Sequence, residues 1–214
     1  MKTKLQQSIA RALLEINAVG FSPDSPITFT SGIKSPVYVD NRVLVFHPAK
    51  WQLVIRGFKE YIDTEGLDFD VIAGVAVGGV PHSSALAFSL EKPSVFIRSV
   101  PKQHGKRKRI EGGSVSGKTV LLVEDHVTTG GSSLDAVREL RQAGAHVSDV
   151  LAIISYRFPE AEAKFVQENL KLHTLTEFDI LLDLALNCGE LNTAQLPVVQ
   201  AWFGDPHSWG KQFA

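Results

Sequence analysis

Apolar residues recur at Leu5, Ile9, Ala12, Leu13 and Ile16, the three-and-four spacing of one helix face, and Gly20 follows as an expected stop. Pro48 opens a second such pattern through Trp51, Ile55, Phe58 and Ile62, with Gly66 near its end. From residue 70 the pattern changes. Short runs rich in Val, Ile and Leu predict strands at Val71 to Val77, Ser94 to Ile97, Thr119 to Glu124 and Val150 to Ser155. Helices are predicted between and after them at Ser83 to Leu90, Ser133 to Ala143 and Pro159 to Leu170. This alternation is the mark of an α/β fold, a parallel sheet covered by helices. Ligands bind such sheets at the carboxyl ends of the strands, so chemistry is expected in the loops after Val77, Ile97 and Glu124 and just after Ser155. Leu181, Leu182, Leu184 and Leu186 read as core.

No repeat, low-complexity tract or linker interrupts the chain, which predicts one domain over 1–214. Val71 to Leu90 lacks Asp, Glu, Lys and Arg and so imitates a membrane span, but Gly78, Gly79, Pro81, His82, Ser83 and Ser84 in its middle fit a strand, turn and helix better. The N-terminal Lys2 and Lys4 lead into polar residues, and no export signal is evident. With 214 residues, 44% of them hydrophobic and 21% charged, and a net charge of −1, the composition is that of a globular chain rather than a disordered or fibrous one. At this length a chain buries roughly 70% of its unfolded surface, enough for a core without staples. The single Cys188 allows no intrachain disulfide and points to the reducing cytoplasm.

Two stretches look like phosphate sites. Gly112 to Thr119 matches the P-loop pattern G-x-x-x-x-G-K-[ST], yet a β-branched run follows it where a P-loop needs a helix, so it reads as a turn into a strand. The second has the right order: a strand ends in Glu124-Asp125 and passes through His126-Val127-Thr128-Thr129-Gly130-Gly131-Ser132 into a helix. The glycines let the backbone fold around an anion, and Thr128, Thr129 and Ser132 add hydroxyls beside the positive end of the helix. Two carboxylates would repel a bare phosphate but suit a ligand that also carries hydroxyls, as a ribose phosphate does. A mere turn with Ser132 or Ser133 as helix cap is the plainer alternative, and it leaves the acidic pair unexplained.

The run Val120 to Ser132 resembles the phosphoribosyl pyrophosphate (PRPP) motif of type I phosphoribosyltransferases. Phe29 to Arg42 is similar to the F-x-x-SG-x-x-SP-x-Y-x-D-x-R signature of orotate phosphoribosyltransferases, although two short strands joined by turns would explain its glycine and proline. Arg98 to Gly112, with Lys102, His104 and the basic run Lys106 to Arg109, resembles the family's mobile catalytic loop, and the chain's near-neutral charge argues against a nucleic-acid patch.

The resemblance implies a parallel sheet flanked by helices, with a small hood from the N-terminal segment, about 1–45. It implies transfer of the phosphoribosyl group from PRPP to orotate with Mg²⁺. Lys102, His104, Arg98 and Asp125 are the expected catalytic residues; Arg98, Lys102, His104 and Glu124 to Ser132 hold PRPP, and Thr128, Arg157 and Tyr38 hold orotate. No metal site is expected from protein groups alone, the Mg²⁺ arriving with PRPP. It further implies a homodimer whose loop serves the partner's site, with neither nucleic acid nor membrane as a partner. A phosphoribosyltransferase for another base and a PRPP-sensing regulator are the alternatives. Thr30, Gly78 and Ser99 stand where members of the family carry lysine, each removing a possible contact to pyrophosphate; the run Lys106 to Arg109 is expected to compensate. Phe158-Pro159 replaces the family's usual Gln-Glu after Arg157.

Overall fold

The computed structural model describes residues 2–29, 32–100 and 109–213. In chain order the elements are α1 (Lys2–Glu15), β1 (Val19–Phe21), β2 (Ile27–Thr28), β3 (Lys34–Ser35), β4 (Val37–Val39), a 3₁₀ turn (Asn41–Phe46), α2 (Pro48–Glu65), β5 (Val71–Val75), α3 (Gly79–Ser89), β6 (Ser94–Ile97) and β7 (Ile110–Glu111). They continue with β8 (Val120–Val127), α4 (Gly131–Gln142), β9 (Asp149–Ser155), α5 (Pro159–Gln167), β10 (Lys171–Glu177), α6 (Phe178–Cys188), α7 (Leu196–Gly204) and α8 (Pro206–Trp209), ending in a second 3₁₀ turn (Gly210–Phe213). Among the described residues no helix is long and apolar enough to cross a membrane. Two compact units result, one of residues 51–175 and one of residues 1–50 with 176–214.

The 51–175 unit holds the sheet, in strand order β10-β9-β8-β5-β6-β7. β5 runs parallel to β6 and β8, β8 runs parallel to β9, and β7 turns back antiparallel on β6. Strands buried on both faces need continuous apolar runs, and every residue of β5 is buried, as are the first six of β8. Leu134, Val137 and Leu140 of α4 and Phe165 of α5 close a core over Ala73, Leu122 and Ala152. The predicted β8 stops at Glu124, but the strand continues to Val127. α3 and α4 begin at Gly79 and Gly131 rather than at Ser83 and Ser133, because glycines that read as turn residues form the first helical turns. The P-loop-like stretch is a turn: Lys118 N–H bonds Val115 C=O at 3.1 Å and the chain enters β8, with no helix after it.

The other unit pairs β1 with β4 and β2 with β3, both antiparallel. Its helix α1 ends at Glu15, and Asn17, at φ +53°, makes the stop expected at Gly20; the N–H groups of Asn17 and Ala18 close on the carbonyls of Leu14 and Leu13 at 2.9 Å. The buried Trp202 of α7 donates its indole N–H to Lys34 C=O at 2.8 Å. This unit also takes in residues 176–214. Leu181 and Leu182 are buried as expected, while Leu184 and Leu186 are half-buried.

Candidate active site

Of the expected site residues, Arg98, Glu124, Asp125 and Arg157 lie at or near the carboxyl ends of β6, β8 and β9. Glu124 and Asp125 are only 4% and 7% exposed. Strand alternation would send neighbouring side chains to opposite faces, so one sugar could be reached by both only if the chain had left the strand at Asp125. The strand runs on through Val127, yet Asp125 still acts on the Glu124 carboxyl. Burial first, and then the charge and hydrogen bond of Asp125, push Glu124 well above the usual carboxylate range. Burial acts in the same sense on Asp125, but hydrogen bonding and charge from His126, with a contribution from His82, hold it below that range. The two shifts run in opposite directions, Glu124 toward its protonated form and Asp125 toward its charged form.

Each carboxyl has a fixed neighbour. Ser133 Oγ donates to Glu124 Oε1 at 3.3 Å, and His126 Nδ1 lies 3.1 Å from Asp125 Oδ2. This argues against the plainer capping alternative. The residue before α4 is Gly130, in the left-handed region at φ +76° with no side-chain cap, while Ser133 faces the acidic pair. A Cβ on Gly130 would come within 2.8 Å of the Phe165 ring. Thr128, Thr129 and Gly130 bend into α4, whose free N–H groups and positive end face the loop.

Sequence reasoning missed the part played by Gly78 and Gly79. A Cβ on Gly78 would fall 2.4–2.5 Å from all three atoms of the Asp125 carboxylate, and one on Gly79 would fall 2.5 Å from Val123 C=O. The backbone after β5 thus lies against the acidic pair, leaving no room for a side chain at 78 with Asp125 in place. A glycine pair directly after a buried strand was the available signal.

Arg98 and Arg109 stand at the feet of the basic loop, with Arg98 N–H donating to Arg109 C=O at 3.0 Å. Lys102 and His104, like Lys106, Arg107 and Lys108, lie outside the described residues, as does Thr30. Arg109 does not fit the expected compensating role. Its Nε donates to Arg98 C=O at 2.7 Å, its Nη2 pairs with Asp135 of α4, and its Nη1 lies 3.7 Å from Glu139. Arg98 Nη1 lies 3.5 Å from Glu111.

Arg157 follows β9 in a left-handed conformation at φ +53°, its N–H bonded to Ser155 Oγ at 3.0 Å. Its Nε donates to Glu162 at 2.8 Å. Their side chains are 54% and 44% exposed, so this pairing is worth less than about 1 kcal/mol and a substrate carboxylate can displace it. Tyr38 belongs to the other unit, where its hydroxyl donates to Asp40 at 3.1 Å and Arg42 grips Asp40 with two bonds of 2.6 and 2.8 Å. The N-terminal signature therefore also builds a local brace.

The model of the phosphoribosyl transferase domain matches residues 16–169. The chain belongs to the phosphoribosyl transferase family. A relative from Bacillus pumilus named orotate phosphoribosyltransferase is 42% identical over 208 residues, 97% of this chain and 96% of its own. One of the same name from Coxiella burnetii is 39% identical over 201 residues, 94% and 96% of the two chains. The crystal structure of orotate phosphoribosyltransferase from Aeropyrum pernix superposes with a TM-score of 0.74 at 26% identity, covering 86% of this chain and 99% of that one. The six-stranded, mostly parallel sheet between helices is the type I phosphoribosyltransferase fold, as the sequence implied.

Proposed function

We propose that this phosphoribosyltransferase moves the 5-phosphoribosyl group of PRPP to N1 of orotate, giving orotidine 5′-monophosphate and pyrophosphate in pyrimidine nucleotide synthesis. The observation that carries the reading is the buried Glu124–Asp125 pair just before the loop that opens α4. Two ribose hydroxyls need acceptors, and the phosphate on C5 needs N–H donors; this segment offers both within nine residues.

The bond from C1 to the pyrophosphate oxygen breaks as N1 of orotate attacks, leaving a sugar with oxocarbenium character beside a polyanion. Catalysis is then mainly positioning and electrostatics. Asp125 accepts from a ribose hydroxyl and sets a negative charge near the electron-poor sugar, and Glu124 orients beside it. Glu124 to Ser132 are the PRPP contacts of this reading, with Thr128 also reaching the base. Arg98, Lys102 and His104 serve the departing pyrophosphate. Arg157 exchanges Glu162 for the orotate carboxylate, a planar anion that matches its fork, and Tyr38 completes the orotate set.

Mg²⁺ enters as part of the substrate. Pyrophosphate oxygens are the hard donors Mg²⁺ prefers. Bound there, the ion neutralises leaving-group charge. In this reading the two units act together as one 214-residue enzyme in the cytoplasm, paired as a homodimer whose basic loop serves the partner's site.

The test is a split in kinetic constants. Arg157→Ala should raise KM for orotate far more than for PRPP, by a loss on the order of 1.5–3 kcal/mol, about 10- to 150-fold. Asp125→Asn should cut PRPP turnover strongly in a folded protein. Equal effects of Arg157→Ala on both substrates, or full activity of Asp125→Asn, overturn the assignment.

A further inference from the structure

Arg157 sits in the left-handed region at φ +53°, a conformation that a long side chain rarely adopts and that persists only where its surroundings over-determine it. The residues on either side supply that constraint. Tyr156 and Phe158 are 3% and 2% exposed, and their rings stack with centroids 5.6 Å apart and planes 23° from parallel. Tyr156 is fixed to β8, its N–H donating to Val127 C=O at 3.0 Å and its ring meeting that of His126 edge-on at 6.4 Å. Phe158 is fixed to α5. Pro159 opens that helix and keeps the residue before it extended, at φ −60° and ψ 132°, while Phe158 C=O accepts the N–H groups of Ala161 and Glu162 at 2.9 and 3.1 Å. Between these anchors the Arg157 N–H closes on the buried Ser155 Oγ at 3.0 Å.

We propose that Ser155, Tyr156 and Phe158 are positioning residues for the base: the stacked rings and the hydroxyl hold the Arg157 backbone so that the guanidinium stands where the orotate carboxylate arrives. This rests on the reading of Arg157 as the carboxylate contact and adds what places it. Two buried rings anchor a residue whose own side chain is 54% exposed, so a change in the Arg157 backbone would have to pull an aromatic ring out of the core. Glu162, which pairs with Arg157, is placed by the same anchor, because its N–H is one of the two that Phe158 C=O receives. Phe158 and Pro159 are also the positions at which this chain departs from the family's usual Gln-Glu, so the anchor belongs to this chain rather than to the common pattern.

The experiment uses the full chain with PRPP, Mg²⁺ and orotate, and both KM values are measured on each variant. Phe158→Leu keeps an apolar side chain but removes the stack. It should raise KM for orotate about three- to tenfold, the worth of an aromatic pair, while KM for PRPP stays within about twofold. Ser155→Ala removes only the acceptor of the Arg157 N–H and should raise KM for orotate about three- to fivefold, again with KM for PRPP within about twofold. Residues that act through Arg157 have nothing left to position once it is gone. Phe158→Leu added to Arg157→Ala should therefore change KM for orotate by less than about twofold beyond Arg157→Ala alone.

Equal rises in both KM values, an unchanged KM for orotate, or effects that multiply in full in the double variant overturn the proposal. If Phe158→Leu fails to fold, Ser155→Ala, alone and combined with Arg157→Ala, decides by the same criteria. Arg157→Ala is measured alongside. If it affects both substrates equally, the underlying reading of Arg157 has failed; if it shows the split while Phe158→Leu and Ser155→Ala do not, only the positioning role has failed.

Discussion

Replacing Gly78 by alanine separates the site's geometry from the stability of the fold. The position has φ −61° and ψ −43°, ordinary helical values, so an alanine backbone fits without strain. Restricting the unfolded chain should stabilise by about 0.4–1 kcal/mol. The new Cβ, however, would lie 2.4 Å from Asp125 Cγ and 2.5 Å from each carboxylate oxygen. Non-bonded carbons rest at about 3.5–4.0 Å, so the carboxylate must retreat by about 1 Å. An off-rotamer side chain costs about 0.5–1.5 kcal/mol, and the two effects nearly cancel. Stability should change by less than about 1 kcal/mol, a shift of about 2–4 °C or less in Tm at this size. Activity should not be spared, because a displacement of about 1 Å at a positioned group can cost about 100-fold. Thermal unfolding by circular dichroism and steady-state assays with varied PRPP read the two quantities on one protein. A Gly78→Ala enzyme with wild-type kcat/KM for PRPP would refute the reasoning, since the carboxylate would then either tolerate the displacement or play no part with the sugar.

Glu124→Gln should make the folded protein more stable than wild type above about pH 4.3, the unfolded value for Glu. Because burial raises Glu124, its contribution is fully present below that pH and is lost as pH rises through the folded value, so the gap between the Tm curves should widen with pH; parallel curves would contradict the upward shift of Glu124. Arg109→Met should destabilise by about 1–2 kcal/mol, one backbone hydrogen bond and a half-exposed ion pair, measured by urea unfolding, and pairing it with Asp135→Asn in a double-mutant cycle should return a coupling below about 1 kcal/mol. Gly130→Ala should cost more, about 2–4 kcal/mol, from a left-handed backbone and contact with the Phe165 ring, and a neutral result would contradict the loop conformation. Lys102→Ala and Asp125→Asn enzymes, each nearly inactive, should on random subunit exchange recover roughly a quarter of wild-type activity, because one site in each mixed dimer is whole; no recovery after exchange proven by native mass spectrometry would place the loop in its own subunit.

The parallel core was legible because strands buried on both faces must be apolar throughout, and β6 and β9 emerge nearly to the residue. Boundaries at the site were less legible for one reason. There the chain spends glycines on close approach rather than on turning, so Gly78-Gly79 and Gly130-Gly131 hid the starts of α3 and α4. Glu124 and Asp125 were visible as a pair, but their burial and the Ser133 hydrogen bond to Glu124 depend on packing from other elements, which no local pattern encodes. Arg109 was one cation in a basic run, and only the tertiary neighbours Asp135 and Glu139 set it apart. β10 and the helices after it went unread, since their polar and apolar positions follow neither period cleanly.

The most direct test of the whole account is a base screen. Purified protein with PRPP and Mg²⁺ is offered orotate, uracil, adenine, hypoxanthine and xanthine separately, while pyrophosphate release and base consumption are followed together. The account predicts that orotate alone is consumed, one pyrophosphate appearing for each orotidine 5′-monophosphate formed. Turnover of a purine or of uracil with orotate untouched would contradict it.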